Sequence, residues 1–556
     1  MRVAKWRGGI PAVLLLCLLC LGLYAPGLNS VPPLDRDEAR FTQATRQMLE
    51  TDDFLHIRFQ DEARNKKPAA IYWLQAAAVA AFSTPAATTI WPYRLPSVLG
   101  AGAAVVLTFA LGRALFDAEA GPNPPRRSAL LGAVLLASAL GLAVEAHIAK
   151  TDAALLAAVV AGQGVLGIAY VRARSGRNLP VVLAGAFWMA EAAGVLLKGP
   201  IAPALAITTA AVLATADRDA RWLRQLRPVA GMLLAALIVA PWVIAMQHAT
   251  GDRFLADSLG QDLMAKLIGA QESHGAPPFY YLLLSVASFW PGSLLLVPGL
   301  ARGWRHHDRP AQRFLLAWVL PAWVFLELVP TKLPHYILPL YPALALLVGS
   351  ALADGLTRER ERGLGLLDMF VRGLWGAVTL LLAAALVYLP IRFGDYVPAS
   401  AVAGGMLLIA AGGTLLAGWP GPRAAAALMA VQSAVFIVIA ATAVLPQLNR
   451  LWLSRSASVL VMQHPPRPGQ PIVAVGYSEP SLVFLLGGNV QLATAPSAAE
   501  ALERGGEALV SGREDAMFRQ AISARGLAAR VLDRVPGLDY SNGQRMVLTL
   551  YDVEPN

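Results

Sequence analysis

The feature that most limits what this 556-residue chain can fold into is a succession of apolar runs, each long enough to cross about 30 Å of hydrocarbon. They lie at residues 10–28, 95–116, 129–148, 153–171, 181–197, 201–216, 229–246, 280–300, 314–329, 337–352, 374–390, 401–418 and 424–445. With no water in a bilayer core, each segment must satisfy its own backbone hydrogen bonds, so these runs predict an all-α polytopic membrane protein of about 13 transmembrane helices. A soluble globule is excluded, since 56% of the residues are hydrophobic and only 15% are charged. Arg2, Lys5 and Arg7 precede the first run and no small-x-small cleavage site follows it, so the first helix is expected to be retained, with its N-terminus cytoplasmic. Cys17 and Cys20 share one face of that helix and read as packing or lipid-facing residues.

The formal charge of +10 is mostly topological. Short cytoplasmic loops carry an excess of basic residues, and alternate loops here hold Arg126 and Arg127; Arg172, Arg174 and Arg177; Arg218, Arg221, Arg224 and Arg227; Arg302, Arg305 and Arg309; and Arg358, Arg360 and Arg362. This pattern survives only if the short apolar stretch 69–82, followed by Pro85, does not span. It is therefore read as an amphipathic or re-entrant element at the outer surface. Residues 1–446 then form a transmembrane domain with long outer loops at 29–92 and 248–278. Residues 447–556 have soluble composition and form a small extracytoplasmic α/β domain. In that domain, strands are expected at 471–476, 482–486 and 545–551, and helices at 498–504 and 514–525.

Lysine is rare, occurring at 5, 66, 67, 150, 198, 266 and 332, and all but Lys5 fall on the outer side. An ammonium is a compact point charge suited to phosphate, and carboxylates accompany these lysines. In the first outer loop, Asp35-Arg36-Asp37-Glu38-Ala39-Arg40-Phe41 follows Pro32-Pro33 and opens a helix; Asp35 is read as its cap. Glu38 adds a further acid. Asp37 and Arg40, three apart on one face, suit a base or orienting carboxylate beside a phosphate-holding guanidinium. Lys66 and Lys67 precede Pro68 and the aromatic pair Tyr72-Trp73, as a site for a lipid phosphate at headgroup depth would require.

The ordered motifs Asp37-Glu38-Ala39-Arg40-Phe41, Lys66-Lys67-Pro68, Lys150-Thr151-Asp152-Ala153, Leu197-Lys198-Gly199-Pro200 and Lys332-Leu333-Pro334-His335-Tyr336 resemble one family. They are similar to those of the GT-C-fold glycosyltransferases that take sugar from a polyprenyl-phosphate donor. The closest likeness is to the ArnT-like lipid A aminoarabinose transferases and their protein O-mannosyltransferase-like relatives. His274-Gly275-Ala276-Pro277-Pro278 resembles the family's outer-loop His motif. The resemblance implies Asp37 as the main catalytic carboxylate and Asp152 as a second acid. It implies Arg40, Lys67, Tyr336 and neighbouring Lys66 at the donor phosphate, with Glu38, Lys198, Lys332 and His274 as further site residues. Such relatives place a Glu before the Lys-Pro pair and form a divalent metal site with the His. This chain has Lys66 there, and an ammonium cannot replace a carboxylate ligand, so the metal set is incomplete.

The outer compartment lacks nucleotide sugars, so a transferase there needs a membrane-delivered donor. The expected partners are a polyprenyl (undecaprenyl) phosphate sugar, lipid A or another envelope acceptor, and membrane lipids, with no nucleic acid and a monomeric chain, in a bacterial inner membrane with a periplasmic site. The alternatives are a protein O-glycosyltransferase of the same fold, an anionic-lipid transporter or flippase, and a receptor or scaffold. No matched pair of broken helices in two sequence halves supports the transporter.

Overall fold

The computed structural model describes residues 9–64, 67–117, 125–251, 254, 275–355, 365–417 and 421–555. Each apolar run coincides with a helix or a bent helix pair. By length and composition, nine of the described helices can cross a membrane, and up to 11 can if each bent pair counts as one span. The bent pairs are Pro125–Ala137 with Leu140–Ala146, at 59°, and Tyr280–Ser288 with Gly292–Arg305, at 119°. Ile10–Tyr24 and Ile201–Asp217 are apolar but shorter. Exposed Val181, Val182, Leu233, Leu237, Leu366 and Leu381 clothe the outer faces of the helices, a surface that suits lipid and not water.

Small residues set how closely these helices approach. A methyl group on Gly100 would sit 2.6 Å from the Ala154 Cα, so the Trp91–Phe116 and Asp152–Arg174 helices touch backbone to backbone there. The Asp152–Arg174 helix carries a charge cluster at each end. Asp152 opens one end beside Lys198, while at the other end Asp217 accepts bonds from Arg313 and from Tyr170 (2.6 Å) and pairs with Arg174 at 3.5 Å. Its 23 residues put about 33 Å between the two ends.

The 69–82 stretch forms the 13-residue helix Ala70–Phe82, about 20 Å long and short of a bilayer core. It packs on the Asp37–Thr51 helix, with the Phe41 and Tyr72 rings 5.1 Å apart.

The C-terminal region is a five-stranded sheet in the spatial order Val490–Ala493, Ile472–Val475, Gly506–Ser511, Gln544–Pro555, Leu527–Asp539. The first three strands run parallel and the last two pair antiparallel. Apolar clusters lie on both faces, one around Leu460, Leu482 and Leu550, the other around Val473, Phe518 and Tyr551. The strand expected at 482–486 is instead part of the helix Pro480–Leu485. A short, wholly apolar run carries no periodicity to choose between strand and helix, and Pro480 at the first turn favours the helix. Three strands, 490–493, 506–511 and 527–539, were not anticipated.

Candidate active site at one end of the bundle

Five elements converge where the Asp152–Arg174 helix begins and the Val181–Lys198 helix ends. Asp152 is buried and accepts a hydrogen bond from Lys198 Nζ. His335 Nε2 lies 3.7 Å from that same oxygen, and the other oxygen is 3.6 Å from Lys150 Nζ. Lys150 also pairs with Glu145 at 3.0 Å and lies 3.3 Å from His335 Nδ1. Burial alone would lower the Lys150 pKa, but the Asp152 and Glu145 carboxylates outweigh it and hold the ammonium charged. Lys198 Nζ lies 5.4 Å from the centre of the Tyr336 ring, which meets the His335 ring edge-on at 5.1 Å. Lys67 acts electrostatically on His335 from the first loop.

Asp37 is the first residue of the Asp37–Thr51 helix and is exposed, as is Arg40 one turn on. Asp37 acts electrostatically on Lys150 and Tyr72. Its position is fixed by its neighbour. Glu38 is fully buried in a bidentate pair with Arg94, at 2.8 and 2.9 Å. Glu38 also accepts the N–H groups of Leu34 (2.8 Å) and Ala149 (2.7 Å), and Arg94 donates to the carbonyls of Leu28, Val31 and Pro32. Glu38 thus ties the start of the Asp37 helix to the turn that carries Lys150.

Asp35 does not cap the helix. It accepts the Ser481 N–H at 3.3 Å, and its own N–H donates to Tyr540 Oη at 2.6 Å, tethering the first loop to the C-terminal region. Burial pushes its carboxyl up to about 6. Between these two acids, Arg36 holds a φ of 64°, a conformation that costs of order 1–3 kcal/mol, and donates to the Ser541 carbonyl at 2.7 Å.

The structure therefore brings Asp152, Lys198, His335 and Tyr336 together; Lys67 and Asp37 act on this cluster electrostatically, and Arg40 is exposed one turn beyond Asp37. Lys332 is buried and bonds the Val329 carbonyl at 2.7 Å, a local brace. Lys66 and His274 lie outside the described residues. Among those described, no three His, Cys, Asp or Glu side chains converge as metal ligands. Sequence reading did not place His335, Glu145 or Lys150 among the site residues. The signal was present for His335, which sits inside the same motif as Lys332 and Tyr336.

No family model matches the sequence. The chain is 31% identical over 370 residues to undecaprenyl phosphate-alpha-4-amino-4-deoxy-L-arabinose arabinosyl transferase 1 of Pseudomonas fluorescens, a match that covers 65% of this chain and 62% of that one. The chain thus spans about three fifths of the length of this relative. Among solved structures, ArnT from Cupriavidus metallidurans bound to undecaprenyl phosphate superposes with a TM-score of 0.75 at 20% identity, covering 98% of both chains. The chain has the ArnT fold. The more distant archaeal oligosaccharyltransferase AglB from Archaeoglobus fulgidus gives a TM-score of 0.52 at 12% identity, over 95% of this chain and 70% of that one. The ArnT likeness extends over nearly the whole chain, so it takes in both the bundle end that carries Asp152 and the C-terminal sheet region.

Proposed function

We propose that this chain is a membrane glycosyltransferase of the ArnT type. In this reading it moves a pentosyl or hexosyl group from a polyprenyl-phosphate donor to lipid A or another envelope acceptor, at the periplasmic face of a bacterial inner membrane. The observation that carries this reading is the Lys150–Asp152–Lys198–His335 cluster at one end of a polytopic bundle, with Asp37 of the first loop acting electrostatically on Lys150. The orientation draws support from the arginine-rich loops, which gather at the opposite ends of the same helices.

The chemistry is a single displacement with inversion. The bond from the anomeric carbon to the donor phosphate breaks, a bond to the acceptor oxygen forms, and polyprenyl phosphate departs with the electron pair. Arg40, Lys67 and Tyr336 face the charge that develops on the departing phosphate. Asp37, exposed at the rim, accepts the proton of an attacking hydroxyl; if the acceptor is a phosphate oxygen, Asp37 orients it and no proton needs to move. Asp152 keeps Lys198 and Lys150 in place and charged, so the cations are arranged before substrate arrives.

Purified protein in proteoliposomes, given a radiolabelled polyprenyl-phosphate sugar and lipid A, is expected to release polyprenyl phosphate in step with labelled acceptor. Movement of intact donor between leaflets with no release would overturn the transferase reading in favour of a transporter.

A further inference from the structure

A second basic feature lies on the same side as the C-terminal region and belongs to no part of the site above. A cleft of about 790 Å³ opens between the end of the Gly365–Phe393 helix and the Leu527–Asp539/Gln544–Pro555 hairpin. Arg392, Arg450, Arg513 and Arg545 line it, and among the described residues no acid does. None of the four makes an ion pair among the described residues; Arg392 rests on the Phe393 ring at 5.2 Å. Elsewhere many arginines of this protein are paired: Arg94 with Glu38, Arg302 with Asp354, Arg313 with Asp217 and Arg519 with Asp515. Four guanidiniums around one cavity repel one another, and a bound anion relieves that repulsion.

The backbone that carries them is held in place. Arg450 N–H donates to the Phe393 carbonyl at 3.0 Å, Leu538 N–H to the Arg450 carbonyl at 2.8 Å, and Gly512 N–H to the Val547 carbonyl at 3.0 Å. The guanidiniums therefore project from a braced junction. The helix that delivers Arg392 is clothed in exposed apolar side chains, among them Leu366, Leu381 and, one turn before Arg392 on the same face, Tyr388. An apolar surface leading directly to unpaired guanidiniums matches an amphiphile whose acyl chains lie along the helix while its phosphate enters the cleft.

We infer that this arginine cleft binds the phosphate headgroup of a membrane lipid, at a site separate from the Asp37–Asp152 centre. The inference does not depend on the glycosyltransferase reading.

The test uses the full chain in phosphatidylcholine nanodiscs doped with phosphatidic acid, with retained lipid counted by native mass spectrometry. Wild type is expected to retain phosphatidic acid over phosphatidylcholine. Arg450→Gln/Arg513→Gln/Arg545→Gln is expected to weaken this by at least about tenfold, the loss of one or more charge-assisted bonds, and Lys replacements at the same positions restore most of it. Arg177→Gln, exposed at the opposite end of the bundle, leaves it unchanged. Retention unaffected in the triple Gln variant would overturn the inference, as would inorganic phosphate alone binding as tightly as the lipid. Should the triple variant fail to fold, Arg513→Gln alone, at an exposed loop position, must show part of the loss.

Discussion

Lys150 and Lys198 are nearly buried, and each is held by a carboxylate, whereas Arg450, Arg513 and Arg545 stand exposed at an open cleft and make no ion pair among the described residues. The contrast follows from desolvation. A cation withdrawn from water must be repaid by an ion pair or it loses its proton, so the inner cluster is built as alternating charges: Glu145, Lys150, Asp152, Lys198. Exposed guanidiniums keep most of their hydration and can wait unpaired for a ligand. The inner cluster is therefore suited to fixed, preorganised electrostatics and the cleft to reversible capture. Variants at the two places should behave in opposite ways.

The largest effect is expected at Asp152. Asp152→Asn leaves Lys198 buried without its acid, so unfolding stability should fall by about 3–5 kcal/mol, and transfer activity should be lost with it. Pairing the change with Lys198→Met should return part of the stability, as measured by thermal unfolding in detergent, and none of the activity. A double variant no more stable than Asp152→Asn would show that the cluster is not organised by this pair.

Asp37 separates function from stability within the same site. It is exposed and serves no cap, so Asp37→Asn should change stability by no more than about 0.5 kcal/mol. Loss of a positioned base should nonetheless lower turnover by about 10²–10⁴-fold on a hydroxyl acceptor. Full activity in this variant would remove Asp37 from the mechanism. Glu38→Gln next to it should do the reverse at first, unfolding the loop through the loss of the Arg94 pair.

The tether between the first loop and the C-terminal region gives an intermediate effect that depends on pH. Burial raises the Asp35 carboxyl from 3.8 to about 6, and Glu479 nearby is pushed up to about 7, also chiefly by burial. For an acid whose folded pKa is raised, the folded state keeps a proton that the unfolded state has released. Its stability contribution is therefore lost as pH rises from about 4 to about 6 and is level above that. Asp35→Asn should remove this loss, so that its stability relative to wild type climbs by about 1–3 kcal/mol across the window. Unfolding midpoints of both proteins between pH 4 and 8 check this; parallel curves would mean that Asp35 stays ionised in its site.

What could be read from the sequence and what could not divide along the same physical line. Hydrophobic length located each apolar helix of the bundle, and arginine placement argued against 69–82 as a span, because both depend on local composition. Rare lysines pointed to the bundle end where Lys150 and Lys198 meet Asp152. Roles set by tertiary partners stayed hidden. Asp35 looked like a cap until Ser481 and Tyr540, more than 400 residues away, claimed it. Glu38 looked like a site acid until Arg94 buried it. The arginine cleft was invisible because its members are scattered from 392 to 545 in ordinary helix-end, loop and strand contexts. The helix at 480–485 was misread for a different reason, since a wholly apolar run has no period.

The smallest expected effect on stability is the one that most sharpens the comparison. Replacing one arginine of the cleft, as in Arg513→Gln, removes no ion pair and opens no cavity, so its direct cost should be within about 0.5 kcal/mol. Mutual repulsion among four guanidiniums should even make the change slightly favourable at low salt, and the gain should fade as salt shortens the range of that repulsion to about 8–10 Å. Unfolding midpoints at low and moderate ionic strength measure this directly: Arg513→Gln should equal or exceed wild type at low salt and converge with it as salt is added. A destabilisation of several kcal/mol would mean that Arg513 is already satisfied within the fold, and the cleft would then resemble the inner cluster and lose its contrast with it.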